Sequence, residues 1–176
     1  NPEFGATFTY FLKEKPKSPK EQRQEKEKDA KKEGVEIDYP SYEDFVVEDN
    51  YEDAYLLFIV KDAQGNEVRK IKQKLSTGIQ RVTWNLRYPA STPIKVGKSK
   101  DGRYSSPNEG PLVLSGNYTV ELWQSDNGNL QKLFEPVSFE VMSLENSSLD
   151  RQTAANIAFK SEVRELRRRI RGSSSE

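Results

Sequence analysis

The chain contains no cysteine and no histidine. Without cysteine there is no disulfide framework, no thiol nucleophile and no cysteine-based zinc site. Many exported proteins also lack it, so its absence does not fix a compartment. Without histidine the commonest general base, the Ser-His-Asp triad and the usual imidazole ligands of zinc and iron are gone. Net charge is zero, 28 basic residues balancing 28 acidic ones. No overall field therefore draws the chain to nucleic acid or to an anionic membrane. No run of about 18 apolar residues exists, so no membrane span is expected. Asn1-Pro2-Glu3-Phe4-Gly5 lacks a basic-then-apolar signal pattern, and so abrupt a start reads as a fragment of something larger. Hydrophobic residues make up 34% of the 176 and charged residues 32%. That balance predicts a small core with polar segments outside it.

Three segments follow from composition: 1–54, an extension expected to pack on the rest, 55–142, the strand-rich part, and 143–176, a C-terminal amphipathic helix and tail. In the first, Thr7 to Leu12 is β-branched and aromatic and reads as a strand. Lys13 to Glu33 then carries nine basic and six acidic side chains. Ser18-Pro19 suits an N-cap followed by proline at the first helical position, and Glu27 and Lys31 are spaced for an i,i+4 pair. A helix polar all round has no face to bury, so it reads as a solvated insertion, or else as a charged arm for a partner. Residues 34–53 reverse the charge, with eight acidic residues and no Lys or Arg. They read as a loop around Tyr39-Pro40-Ser41-Tyr42, with a short helical turn from Ser41, folding back on the basic segment.

The middle segment has β periodicity. Tyr55 to Val60 is continuously apolar, as in a strand covered on both faces. Asp62-Ala63-Gln64-Gly65-Asn66 is a turn signal, and Glu67 to Ile71 returns. Val82, Trp84 and Leu86 share one face of a strand over 80–86. Residues 88–111 are rich in Pro, Gly, Ser and Lys and read as a long loop. Tyr118, Val120 and Leu122 share a face after Gly116, and a hairpin joins 115–124 to 133–142 through Asn127-Gly128. Such strands must bury their apolar faces against a second sheet. The expected core is Phe58, Val60, Val82, Trp84, Leu86, Tyr118, Val120, Leu122, Phe139 and Val141. Trp84 is its largest element, and Trp84→Ala is expected to cost about 3–5 kcal/mol. In the last segment Phe159, Val163, Leu166 and Ile170 recur at four, three and four residues, an apolar stripe on a helix over 150–171. Arg164, Arg167, Arg168 and Arg171 face away from it.

The order of motifs carries a resemblance. An apolar strand, Asp62-x-x-Gly65-Asn66-x-Val68, Gly78 with Val82-x-Trp84-x-Leu86, then Gly116-x-Tyr118-x-Val120 is similar to the immunoglobulin-like domain family typified by the flagellar hook-capping protein. Asn1-Pro2-x-Phe4-Gly5-Ala6-x-Phe8-x-Tyr10-x-Leu12-Lys13, the charged helix and Trp84-Asn85-Leu86-Arg87-Tyr88-Pro89 resemble the region behind a sortilin-like β-propeller in large bacterial exported proteins labelled glycosyl-hydrolase-like. The resemblance covers about residues 1–142. It implies an all-β, immunoglobulin-like or fibronectin III-like antiparallel β-sandwich with an inserted charged helix and a C-terminal helix. It also implies an exported protein, and an upstream β-propeller of the same polypeptide as the partner. Any hydrolase label would belong to that propeller and not to residues of this chain.

Three readings of function remain open. The first is a non-catalytic accessory module that packs on or positions the propeller, or binds a protein. The second is a carbohydrate-binding module. Trp123 follows Leu122, so strict alternation points it away from the core with Thr119 and Glu121. An outward indole is a stacking platform, with Tyr88 and Tyr104 as further aromatics. The same indole is also what a loop, or the stripe of the last helix, would cover. The third reading is hydrolysis by a carboxylate pair among Asp44, Glu48, Asp49, Glu52 and Asp53. The acidic stretch 43–53 has no apolar pocket to raise a carboxyl pKa, and it lacks the spacing of a calcium loop. The Arg face of the last helix lacks the aromatic residues and reading motif of a nucleic-acid binder. No cofactor or metal is called for.

Overall fold

The computed structural model describes residues 3–37, 39–90, 110–143 and 153–173. It is built mainly of antiparallel strands. β1 (Ala6–Leu12) leads into two helices, α1 (Pro19–Glu33) and α2 (Tyr42–Asn50). Then come β2 (Tyr55–Asp62), β3 (Glu67–Lys74), β4 (Gly78–Trp84), β5 (Gly116–Asp126), β6 (Asn129–Lys132) and β7 (Val137–Val141), and finally α3 (Ala154–Ser173).

The strands make two sheets. β1 pairs with β4, Ala6 opposite Trp84 and Leu12 opposite Gly78. The larger sheet runs β3-β2-β5-β6, with β7 also on β5. Connections from β1 to β2, from β3 to β4 and from β4 to β5 each change sheets. The strand of segment 1–54 is therefore part of the sandwich rather than an extension lying on it, and α1 and α2 are inserted after it.

Alternation decides what is buried. Phe8 and Tyr10 of β1 point inward and meet Phe58 of β2, with ring centroids 6.1 and 5.4 Å apart. Trp84, 1% exposed, lies edge-on to both Tyr118 and Phe139. Aromatic pairs in this geometry stabilise beyond their buried area by about 0.5–1.5 kcal/mol each. Phe58, Val60, Val82, Trp84, Tyr118 and Val120 are buried as expected. Leu86, Leu122, Phe139 and Val141 only line the margin of this core. Leu56, Val68 and Val113 complete it and were not anticipated.

Local chemistry explains most boundaries. Ser18 caps α1 with a reciprocal pair: its Oγ accepts from the Glu21 N–H, and the Glu21 carboxylate accepts from the Ser18 N–H. Glu27 pairs with Arg23 rather than with Lys31, as the i,i+4 spacing suggested. The segment 43–53, expected to be a loop with one turn, is mostly helix. Ser41 and Asp44 form a second capping box that starts α2. Asp62 organises the β2–β3 turn by accepting from the N–H groups of Gln64 and Asn66.

Two strand readings need correction. β4 ends at Trp84, and Leu86 takes a left-handed φ of 55°. That turn brings the Arg87 carbonyl back onto the Trp84 indole N–H, at 3.1 Å. The return strand after Asn127-Gly128 is split into β6 and β7, because Pro136 has no N–H to donate to a ladder. Of the 88–111 loop only the neck is described. It is closed by Tyr88 N–H to the Pro111 carbonyl (3.0 Å) and Val113 N–H to the Leu86 carbonyl (2.8 Å).

Candidate functional site

The outer face of the larger sheet carries Trp123, and it is not a bare face. The register places Leu57 beside Trp123 and Ile59 beside Glu121. Glu121, expected to face solvent, is only 8% exposed. Three donors converge on it. Lys61 Nζ lies 3.0 Å from Oε1 and Lys132 Nζ 3.9 Å from the same atom. The Trp123 indole N–H donates to Oε2 at 3.1 Å. The Lys61 ammonium, ahead of the indole, holds the Glu121 carboxyl below the usual carboxylate range. Glu121 therefore stays ionised at neutral pH and fixes the orientation of the indole. It is an ionised acceptor held by two hydrogen bonds and a second ammonium, the opposite of a general acid poised to donate.

The proposed aromatic platform is not assembled. Tyr88 packs against the core margin, on the far side of the β5 strand from Trp123. Its carbonyl accepts from Arg69 at 3.5 Å, and the Arg164 guanidinium of α3 lies 5.8 Å from its ring. Tyr104 lies outside the described residues. The stripe of α3 does not cover Trp123 either. Phe159, Val163, Lys160, Arg164 and Arg167 of α3 flank Gly110 and Pro111 around an open cleft of about 300 Å³. Phe159, Leu166 and Ile170 stay 64%, 57% and 63% exposed.

The acidic stretch holds α2 against α1, and its carboxylates line two open clefts, Glu52 and Asp53 one of about 430 Å³ and Asp44 and Glu48 one of about 520 Å³. Arg23 of α1 grips Glu48 through Nε to Oε1 at 2.6 Å and Nη2 to Oε2 at 3.0 Å and lies over the Phe45 ring. Arg23 pulls the Glu48 carboxyl pKa down, and the Ser41 hydroxyl does the same to Asp44. Glu52 lies 3.8 Å from Lys72. Catalytic pairing of carboxylates needs one of them raised, and those that shift here shift the other way. Among the described residues no group of three or more acidic side chains could hold a metal ion. No described helix is long and apolar enough to cross a membrane.

The outer face of the smaller sheet is different. Its outward residues are Thr7, Thr9 and Phe11 of β1, opposite Thr83, Arg81 and Ile79 of β4. Phe11 and Ile79 face each other and are 66% and 73% exposed. Among the described residues β1 has one ladder partner, β4, and its other edge has none. β1 has no charged residue. β3, the edge strand of the larger sheet, carries Lys70, Lys72 and Lys74. Charged edges discourage pairing and uncharged ones invite it. Comparison with protein-family models, curated proteins and solved structures finds no match in any of the three.

Proposed function

We propose that the chain is a non-catalytic, immunoglobulin-like accessory module that docks a neighbouring domain through β1. Its partner is the β-propeller that the sequence resemblance places upstream, in an exported protein. The immunoglobulin-like reading is supported by the strand order, β1-β4 against β3-β2-β5 with the split last strand. It is supported too by Tyr118, near the start of β5. Its hydroxyl donates to the Leu114 carbonyl at 2.7 Å, the geometry of a tyrosine corner.

The observation that carries the docking role is the uncharged, singly paired β1 with Phe11 exposed on it. A partner strand or loop laid along this edge would pair with its backbone and cover Phe11 and Ile79. The test uses the upstream propeller supplied as a separate polypeptide. Binding measured by calorimetry is expected, and Phe11→Lys or Thr9→Lys is expected to weaken it about tenfold or more, since each places a charge on the edge. Association that is indifferent to both substitutions would overturn the assignment of β1. No association at all would overturn the propeller as partner.

The glycan-binding reading retains one favourable observation, the oriented indole of Trp123. It is tested by a glycan array with wild type and Trp123→Ala. Binding that is present and then lost would favour it over docking.

A further inference from the structure

The geometry points to α3 as one strand of a parallel, two-stranded coiled coil formed with a second copy of this chain. This inference is independent of the docking role of β1. Phe159, Val163, Leu166 and Ile170 follow a four-three-four spacing, which is the seam of a heptad repeat. Assigning Val163 to position a places Asn156, Val163 and Ile170 at a, and Phe159 and Leu166 at d. β-Branched residues at a with leucine at d favour two parallel strands, and a single asparagine at a fixes register and strand number. Phe159 and Leu166, the two d residues, are each more than half exposed, so most of their surface is open to a partner although Phe159 and Val163 also border the cleft at Gly110 and Pro111. The body meets α3 across an open cleft lined by Phe159, Lys160, Val163, Arg164 and Arg167, so Leu166 lies outside the contact.

The charges choose the orientation. In a parallel pair, position g of one helix meets the following e of its partner. Glu162 at g then meets Arg167 of the second copy, twice per dimer, and no like charges oppose one another. In an antiparallel pair centred on the same seam, Glu162 meets Arg169, but Lys160 meets Arg167 and repels it. Both arrangements pair Glu162 with an arginine, and only the antiparallel one adds the repulsion. A helix of 20 residues supplies about two heptads of seam, which is short, so a reversible dimer is expected.

The test exploits the absence of cysteine. Sedimentation of the wild-type chain up to near-millimolar concentration should show a species of twice 20.2 kDa. Leu166→Lys, at an exposed site that leaves the sandwich intact by circular dichroism, should weaken it about tenfold or more. Glu162→Arg should weaken it and the double variant Glu162→Arg with Arg167→Glu should restore it. Asn156→Cys should form an intermolecular disulfide under mild oxidation, because an in-register parallel pair brings the two sites within the roughly 4.4–6.8 Å Cα separation a disulfide spans. A chain that stays monomeric would overturn the inference. So would a dimer that survives Leu166→Lys, or failure of the Asn156→Cys variant to cross-link. A dimer sensitive to Phe11→Lys instead would place self-association on β1.

Discussion

One substitution, made at two tyrosines whose hydroxyls are buried, should change stability in opposite directions. Tyr118 is 5% exposed, and its hydroxyl donates to the Leu114 carbonyl at 2.7 Å. The buried hydroxyl of Tyr10 has no hydrogen-bond partner among the described residues. Both rings are held by neighbours that a phenylalanine would keep. Tyr118 packs on Trp84 and Phe139, and Tyr10 packs on Phe58. Tyr118→Phe deletes a made hydrogen bond and should cost about 0.5–1.5 kcal/mol. Tyr10→Phe deletes a polar group that folding strips of water for no return, and should stabilise by about 1 kcal/mol. The two variants should then differ by about 2 kcal/mol, roughly thirtyfold in the folding equilibrium. Urea unfolding, followed by the fluorescence of buried Trp84, reads this as midpoints moved to either side of wild type at constant slope. If Tyr10→Phe lowers the midpoint as Tyr118→Phe does, the hydroxyl of Tyr10 is satisfied and the account of the β1–β2 contact is wrong. Alkali supplies a second reading. Burial, above all, pushes the Tyr118 hydroxyl up from 10.0 to about 12. The stability linked to it is full below pH 10 and is lost as pH rises through about 12, because the unfolded chain ionises first. Tyr118→Phe should reduce that alkaline loss.

Three further outcomes are expected. The Glu121 carboxyl is depressed in the folded state, so its contribution is present above the ordinary value of 4.5 and lost as pH falls through its folded value; a Trp84→Phe background should show Trp123 fluorescence changing in that acid window, and Glu121→Gln should flatten the change. A Cβ on Gly5 would lie 2.0 Å from the Trp84 carbonyl oxygen, at a φ of 139°, so Gly5→Ala should force β1 away from β4 and cost several kcal/mol in urea unfolding. Arg23→Gln should free α2 from α1 while leaving the sandwich intact, seen as faster proteolysis and hydrogen exchange confined to residues 39–53.

Where a side chain acts on its own backbone, the sequence was readable. Ser18-Pro19, Asp62 with Gly65-Asn66, and Asn127-Gly128 each stand where such chemistry predicts, and Asn127 adopts the positive φ of 47° that its turn requires. The Ser41-x-x-Asp44 box was equally local, and the acidity of its surroundings hid it. What could not be read was set by chain-distant partners. Glu121 looks like any outward strand residue until Lys61, Lys132 and Trp123 are brought around it by register. Leu86 looks like the end of an alternating strand, yet the Trp84 indole needs an acceptor and the chain turns at Leu86 to provide it. Strict alternation placed Trp123 on the correct face but could not say that this face was already occupied.

The two sheets solve the problem of their outer faces in different ways, and the difference bears on where a partner would bind. On the larger sheet Glu121, at the centre of the outer face, is matched by Lys61 and Lys132, and the edge strand β3 sets Lys70, Lys72 and Lys74 against further pairing. Lys72 even folds over the Tyr55 ring, its ammonium 3.6 Å from the centroid. A ligand there would first have to break ion pairs and displace a cation–π contact, each worth about 0.5–1 kcal/mol when exposed. The smaller sheet asks for nothing of the kind. Its outward threonines pair with each other, Thr7 to Thr83 at 3.1 Å, and leave Phe11 and Ile79 bare beside an edge with no charge to repel a strand. Covering two such side chains is worth up to about 1.5–3 kcal/mol each, set against the entropy of association but against no ion pair that must first be broken. Phe11→Lys therefore tests more than one contact. It restores to β1 the kind of protection β3 already has, and should weaken docking about tenfold or more while leaving the inward face of the strand, Phe8 and Tyr10, untouched.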